Sequence, residues 1–425
     1  MKTNNISKIL FAATLGSSAI ASANAFNINE HDARVTGRGG ATTASNDTPS
    51  SIVFNPGGIP IAEGTNFSVA LTSYFASGSY TPEGSTTKTS TDSNPAFVPS
   101  IYITSRVHDM VAVGIGLHFP FGLALSWPTG HQQSDVIQDQ TLRTYFITPS
   151  FGLNLNKQVP GLSIGGGLDI VPATVELHRT ITFGDAQGTA ALGGDALGIG
   201  GRIGLMYHSP KLKQLKLGIM WRSDVKLDFS GTGDFDIDPQ YRDQLPADGD
   251  IKTSITLPQS ISGGIAYDAT PEFELEFNAV WINWEKFKEL KIELPNDVST
   301  STPENYHNTV SYRLGAEYAL AKQKMAIRAG FIYDPTPIPN TTLTAQLPDI
   351  DRKNITLGAS KYFGDYAAHL GLLWVTPGER KTSDEMYMPQ FKGTYGVQAF
   401  VASLQLSGHF GGGAKASTPS TATAE

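Results

Sequence analysis

The sequence predicts an all-β protein, a transmembrane antiparallel β-barrel of about fourteen strands with an N-terminal plug. Three observations predict it. The chain opens with an export signal, its later segments alternate apolar and polar residues over long stretches, and its connections alternate between short turns and long polar loops.

Residues 1–25 read as a signal peptide. Lys2 and Lys8 give the basic start, Ile9-Leu10-Phe11-Ala12-Ala13-Thr14-Leu15 opens the apolar stretch, and Ala23-Asn24-Ala25 is a small-residue cleavage pattern. Gly16, Ser17, Ser18 and Ser22 dilute the stretch too much for a membrane anchor. Removing two lysines and no acid moves the formal charge from −8 to −10. No basic stripe is present, so nucleic acid is not an expected partner. With Cys 0, disulfides, thiolate catalysis and cysteine–zinc sites are excluded.

Residues 26–65 do not alternate. They run through Gly37-Arg38-Gly39-Gly40 and Asn46-Asp47-Thr48-Pro49 to Asn55-Pro56-Gly57-Gly58, with Ile52, Val53, Phe54, Ile59 and Ile61 available to pack. A barrel of this size cannot fill its lumen with its own side chains. Irregular backbone survives at membrane depth only inside protein or along a cavity. The segment is therefore expected to be a plug.

Residues 66–410 carry the barrel. Candidate strands fall near 66–76, 96–107, 110–123, 142–157, 162–176, 195–208, 215–227, 250–267, 271–284, 308–319, 325–333, 352–363, 366–375 and 394–410. In the last of these Phe400, Ala402, Leu404, Leu406 and Phe410 share one face, while Ser403, Gln405, Ser407 and His409 share the other. Most segments have the length that a tilted strand needs to cross the hydrocarbon layer. Gly364-Asp365 and Asp268-Ala269-Thr270-Pro271 are short turns of the periplasmic kind, set between much longer loops. Tyr207, Trp221, Tyr267, Trp284, Tyr318, Tyr362, Tyr366 and Trp374 suit interfacial girdles. Residues 411–425, built from Gly, Ala, Ser, Thr and Pro, read as a flexible tail.

Several segments resemble the FadL family of long-chain fatty-acid and aromatic-hydrocarbon transporters. One is Trp221-Arg222-Ser223-Asp224-Val225-Lys226-Leu227-Asp228-Phe229-Ser230-Gly231, and another is Trp281-Ile282-Asn283-Trp284-Glu285-Lys286-Phe287-Lys288-Glu289-Leu290. The longest runs from Arg328 through Asp334, Pro335, Pro337 and Pro339 to Pro348, Asp349, Asp351 and Arg352. Asn55, Pro56 and Gly57 stand where the family has an Asn-Pro-Ala plug motif, and Phe119-Pro120-Phe121-Gly122-Leu123 resembles the end of its third strand.

The resemblance implies uptake of a hydrophobic molecule across the outer membrane, passively and past the plug. A fatty acid is the first expectation, with a neutral toluene-like hydrocarbon or a general diffusion porin as alternatives. Release would be sideways into lipid at a kinked third strand, for which Gly114, Gly116 and Pro120 are the candidates. That route avoids exposing each CH₂ to water, at about 0.8 kcal/mol apiece. Phe121, Leu123, Leu125 and Trp127 are candidate ligand contacts, Leu123 onward forming an outer groove. Arg179 is the candidate partner for a carboxylate, while Asn308 stands about where the family has a second cation. No enzyme constellation is visible, and no cofactor or metal is expected. Glu272, Glu274 and Glu276 are read as a polar face looking into a wet lumen rather than as paired catalytic acids. The expected surroundings are outer-membrane lipid and lipopolysaccharide in a Gram-negative bacterium, reached through the barrel-assembly machinery, with the protein as a monomer.

Overall fold

The computed structural model describes residues 25–92 and 94–410, so all but Ala25 of the signal peptide and the 411–425 tail lie outside the described residues. Fourteen antiparallel strands form the wall. They are β1 (Thr65–Pro82), β2 (Ala96–His108), β3 (Val111–His118 continuing as Gly122–Ser126), β4 (Asp139–Thr144 and Phe146–Asn154), β5 (Leu162–Phe183), β6 (Ala186–His208) and β7 (Leu215–Arg222 and Val225–Asp236). The second half holds β8 (Gly249–Leu257 and Ser260–Thr270), β9 (Phe273–Ile282 and Glu289–Glu293), β10 (Ser299–Pro303 and Thr309–Leu320), β11 (Met325–Asp334), β12 (Arg352–Phe363), β13 (Tyr366–Lys381) and β14 (Gly393–Phe410). The wall closes where β1 pairs with β14, from Thr65 opposite Phe410 to Pro82 opposite Gly393. Closure leaves no sheet edge to desolvate in lipid.

The alternation sorts the two faces as a barrel in lipid requires. Val69, Leu71 and Phe75 of β1, Ile101 and Ile103 of β2, and Leu404 and Leu406 of β14 are exposed outward, whereas Ser68, Thr72, Thr104, Thr356, Ser403 and Gln405 are buried inward. Two aromatics expected in the girdle belong elsewhere. Trp284 and Tyr362 are buried inside, because Trp284 lies beyond the end of the membrane-crossing part of β9 and Tyr362 shares the inward parity of Ser360. Trp221, Tyr267, Tyr318, Tyr366 and Trp374 do face outward.

Residues 25–64 lie against the inward side chains of strands all round the wall. Two short helices form in this segment, α1 (Ala33–Gly37) and α2 (Ser51–Phe54), the first capped by the Asp32 carboxylate, which accepts from the Arg34 and Val35 amides. Polar wall residues supply the partners that the irregular backbone lacks. Asn278 Oδ1 accepts from the Thr42 and Thr43 amides at 2.8 and 3.1 Å, and Glu276 accepts from Ala44 N at 2.8 Å. Gln405 Oε1 accepts from Ala33 N at 2.7 Å. Arg38 reaches Glu274 at 2.7 Å and Glu276 at 3.5 Å, so two of the three acids noted on β9 dock this segment; Glu272 sits by the short turn and accepts from Thr270 Oγ1. Wall glycines permit the close approach. A Cβ at Gly204 would stand 2.0 Å from Asn55 Oδ1, and one at Gly218 2.0 Å from Thr43 O.

Below α2, Arg202 pairs with Asp169 at 2.8 Å, both side chains wholly shielded, and its Nη1 donates to Ile52 O and Val53 O. Replacing Asp169 by Ala would strand a buried guanidinium, and it should destabilise the folded barrel by about 3–5 kcal/mol, read as a lower urea midpoint. An unchanged midpoint would refute that assignment.

Candidate functional site

The wall changes character part-way up. In β7 Ile219 and Trp221 face lipid, yet beyond the irregular Ser223-Asp224 step Val225, Leu227 and Phe229 face inward while Lys226 and Asp228 face out. In β8 the Pro258-Gln259 step has the same effect: Ile251, Ile255 and Leu257 point inward on the outer side, Ile261 and Ile265 outward on the membrane side. Beyond each irregular step the inward and outward positions are exchanged, while β7 and β8 keep one register across it, Arg222 opposite Ser260 and Val225 opposite Leu257. The lumen is therefore polar where lipid surrounds the wall and apolar where the strands project beyond it.

The apolar part encloses a cavity of about 970 Å³ including its mouth. Phe26 forms one side, Leu123, Leu142, Leu177, Phe229, Ile251, Ile255 and Leu290 come from the wall, and Phe287, Ile338 and Leu347 from the long loops. Among the described residues neither arginine nor lysine lines it, and its acids are Glu176 and Glu304. Burial pushes the Glu304 carboxyl up to about 8, against a hydrogen bond with Tyr306 that pulls it down, so Glu304 is protonated at neutral pH.

A partition of aromatic rings closes the inner end. Phe26 packs on Trp284 at 4.9 Å and on Phe121 at 6.1 Å, and Phe121 packs on Trp284 at 6.4 Å. Behind it the Arg222 guanidinium lies over the Phe121 ring at 4.7 Å. Arg222 also lines a second, more polar cavity with Asn27, Asn29, His31, Pro120, Ser260 and Arg313.

The partition adjoins a break in β3. Leu117 is the last residue of β3 paired with β2, opposite Ile101, so Ala96–Ser100 have no β3 partner. Phe119-Pro120-Phe121 turn inward, and Pro120 has no N–H to give a ladder. The N-terminal segment takes up the bonds instead. Asn27 bridges Phe121, Ile28 N donates to Pro120 O at 2.8 Å, and Gly122 N donates to Phe26 O at 2.9 Å.

The structure brings some of the expected residues together and separates others. Leu123 lines the cavity and Phe121 forms its partition. Leu125 and Trp127 are fully buried rather than spread along an open groove, and the Trp127 indole donates to Ala345 O at 2.9 Å beneath the β11–β12 loop. Arg179 lies on the outward extension of β5, opposite Ala190, and is not among the cavity-lining residues. Pro120 sits at the break, but Gly114 and Gly116 lie below it in regular register, opposite Thr104 and Tyr102. Their lack of a side chain admits α2: a Cβ at Gly114 would stand 3.0 Å from Ile52 Cδ1, and one at Gly116 3.2 Å from Ile52 Cγ2.

Asn55 acts as a staple, its Nδ2 donating to Thr43 O and Leu205 O while Oδ1 accepts from Gly57 N. Pro56 starts a short 3-10 turn over Pro56–Gly58. The loop signature of Asp334, Pro335, Pro337, Pro339, Pro348, Asp349, Asp351 and Arg352 is a hydrogen-bonded knot over the partition. Asp349 pairs with Arg352 and accepts from Thr336 Oγ1 at 2.6 Å and from Ala25 N at 3.1 Å, while Asp351 accepts from Thr336 N at 2.9 Å. Phe26, Phe287, Glu304 and Tyr306 were not singled out from the sequence as ligand contacts. The available signal was the run of large apolar residues on strand extensions that should otherwise be wet.

Comparison with known proteins agrees with this architecture. The family model described as outer membrane protein transport protein (OMPP1/FadL/TodX) matches residues 14–410. The long-chain fatty acid transport protein of Escherichia coli strain K12 is 23% identical over 354 residues, covering 73% of this chain and 78% of that protein. Among solved structures, a Pseudomonas aeruginosa FadL homologue superposes with TM-score 0.80 at 17% identity, covering 91% of this chain and 100% of the other. The toluene transporter TodX of P. putida does so with TM-score 0.72 at 16% identity, covering 93% and 100%. The chain is thus a β-barrel of the Gram-negative outer membrane, and it belongs to the OMPP1/FadL/TodX family of outer-membrane transport proteins.

Proposed function

We propose that this protein takes up small hydrophobic molecules that carry no charge, holding them in the outer cavity before sideways release at the β3 break. The carrying observation is the cavity lining, apolar in bulk, without a cation, and bearing a protonated Glu304. A carboxylate moved into such a site loses its hydration and gains no counter-charge. Residues 26–64 act as the plug, and its Phe26–Ile28 stretch, bonded to Pro120 and Gly122, is the part that must move for the exit to open. The protein works as a monomer surrounded by lipid and lipopolysaccharide after insertion by the barrel-assembly machinery.

A second reading, long-chain fatty acids, is favoured by the similarity to the Escherichia coli long-chain fatty acid transport protein and by Arg222, a buried guanidinium one ring away from the cavity. No catalysis is proposed. His369 contacts Ser360 and Ser407 on its two ring nitrogens, so no acid orients it, and all three sit beneath the N-terminal segment in the lumen. Equilibrium binding to purified protein in lipid nanodiscs, with toluene against dodecanoate, separates the two substrates. Saturable toluene binding that dodecanoate does not displace is expected; dodecanoate binding alone would overturn the proposal in favour of the second reading.

A further inference from the structure

Beside Gln140, Gln346, Glu176 and several threonines, the polar side chains of that cavity include a paired acid and phenol. Glu304 and Tyr306 both line it and are both buried, among Phe287, Leu290 and Ile338. Their backbone is fixed from two sides. Glu304 N donates to Lys288 O at 2.7 Å, Glu304 O accepts from Thr342 Oγ1 at 2.7 Å, and Tyr306 N donates to Phe287 O. Tyr306 also packs edge-on against Phe287 at 4.9 Å, which sets the direction of its hydroxyl. The carboxyl side chain has Tyr306 as its polar partner. The cation nearest in effect, Arg380, donates to Asn340 Oδ1 and Ile338 O, both at 2.5 Å, and does not line the cavity.

We infer that Glu304 and Tyr306 form a polar pole that selects uncharged hydrophobic ligands bearing one hydroxyl or carbonyl oxygen, over both plain hydrocarbons and carboxylates. This rests on the proposed function and names its substrate class more narrowly. A protonated carboxyl presents one O–H donor and one carbonyl acceptor, and a phenol hydroxyl presents both as well. After Glu304 and Tyr306 bond to each other, one donor or acceptor still faces the ligand. A hydrocarbon pushed against it displaces water and leaves that group unmatched, whereas a ligand hydroxyl or carbonyl answers it. A carboxylate answers it too, but brings a charge that no lining residue neutralises.

The test compares p-cresol with toluene, which differ by one hydroxyl, on the full-length mature protein in nanodiscs, corrected for partition into empty discs. Wild type should prefer p-cresol by about tenfold, Glu304→Gln should keep the preference, and Glu304→Leu should bring the ratio to about one. An unchanged ratio in a folded Glu304→Leu barrel, scored by its heat-modifiable mobility, would overturn the inference. Should Glu304→Leu fail to fold, difference infrared spectroscopy decides on wild type. The carboxylic C=O band that Glu304→Gln removes should shift with p-cresol and stay with toluene; a band indifferent to both refutes the inference. Failure of the parent reading looks different, since there neither neutral ligand binds while dodecanoate does.

Discussion

Deleting residues 26–63 should turn a barrel that carries almost no current into one with steady ion conductance in planar bilayers, an increase of at least about tenfold. The expectation follows from what the deletion exposes. Asn278, Glu276, Gln405, Arg202 and Asp169 all turn inward, and all are now occupied by the N-terminal segment or by each other. Stripped of that segment, these groups would be solvated, because a fourteen-stranded wall is too wide for its own side chains to fill. The wall should survive, since its ladder closes through β1 and β14 independently of the segment. A deletion protein that is folded, inserted and still silent would show that the outer loops, not the N-terminal segment, close the pore.

The second large effect concerns the exit. Asn27 and Phe121 face each other as an isolated antiparallel bridge at the β3 break, and the chain has Cys 0, so a paired replacement introduces the only thiols. Directly opposed residues of antiparallel pairs have Cα separations of about 4.5–5.5 Å, inside the range a disulfide spans. Asn27→Cys with Phe121→Cys should therefore oxidise readily and lock the N-terminal segment to β3. Uptake of toluene by cells expressing the locked protein should fall by at least about tenfold and return on adding a membrane-permeant reductant. The reduced double variant controls for the loss of the Phe121 ring. Full uptake in the oxidised state would exclude movement of this segment from the transport path.

Much of the architecture was legible beforehand for a simple reason. A strand in lipid must present apolar side chains at every second position, and that constraint writes itself into the chain, as in Phe400, Leu404 and Leu406 against Ser403 and Gln405. The irregular composition of residues 26–65 likewise marked a segment that could not form wall. The aromatic residues show the limit. Trp221 and Trp284 look alike in the sequence, yet one faces lipid and the other is buried against Phe26 and Phe121.

The site was less legible because its position depends on parity. The stretches 215–227 and 250–267 each read as one continuous alternating strand, and a continuous strand would carry its apolar face outward along its whole length. Two-residue irregularities at Ser223-Asp224 and Pro258-Gln259 invert that face, and such a step leaves the composition of the strand unchanged. Arg179 illustrates the same gap, being a sensible carboxylate partner by residue type that lies outside the cavity lining. What the sequence by itself determined was the class of solvent on each side of the wall, because lipid and water select side chains residue by residue. Only the tertiary structure decided which outer apolar residues converge on one cavity, that Glu304 and Tyr306 are buried in it, and that Phe26–Ile28 bond to the broken end of β3. Those outcomes come from strand register and loop closure, which place residues far apart in the chain side by side.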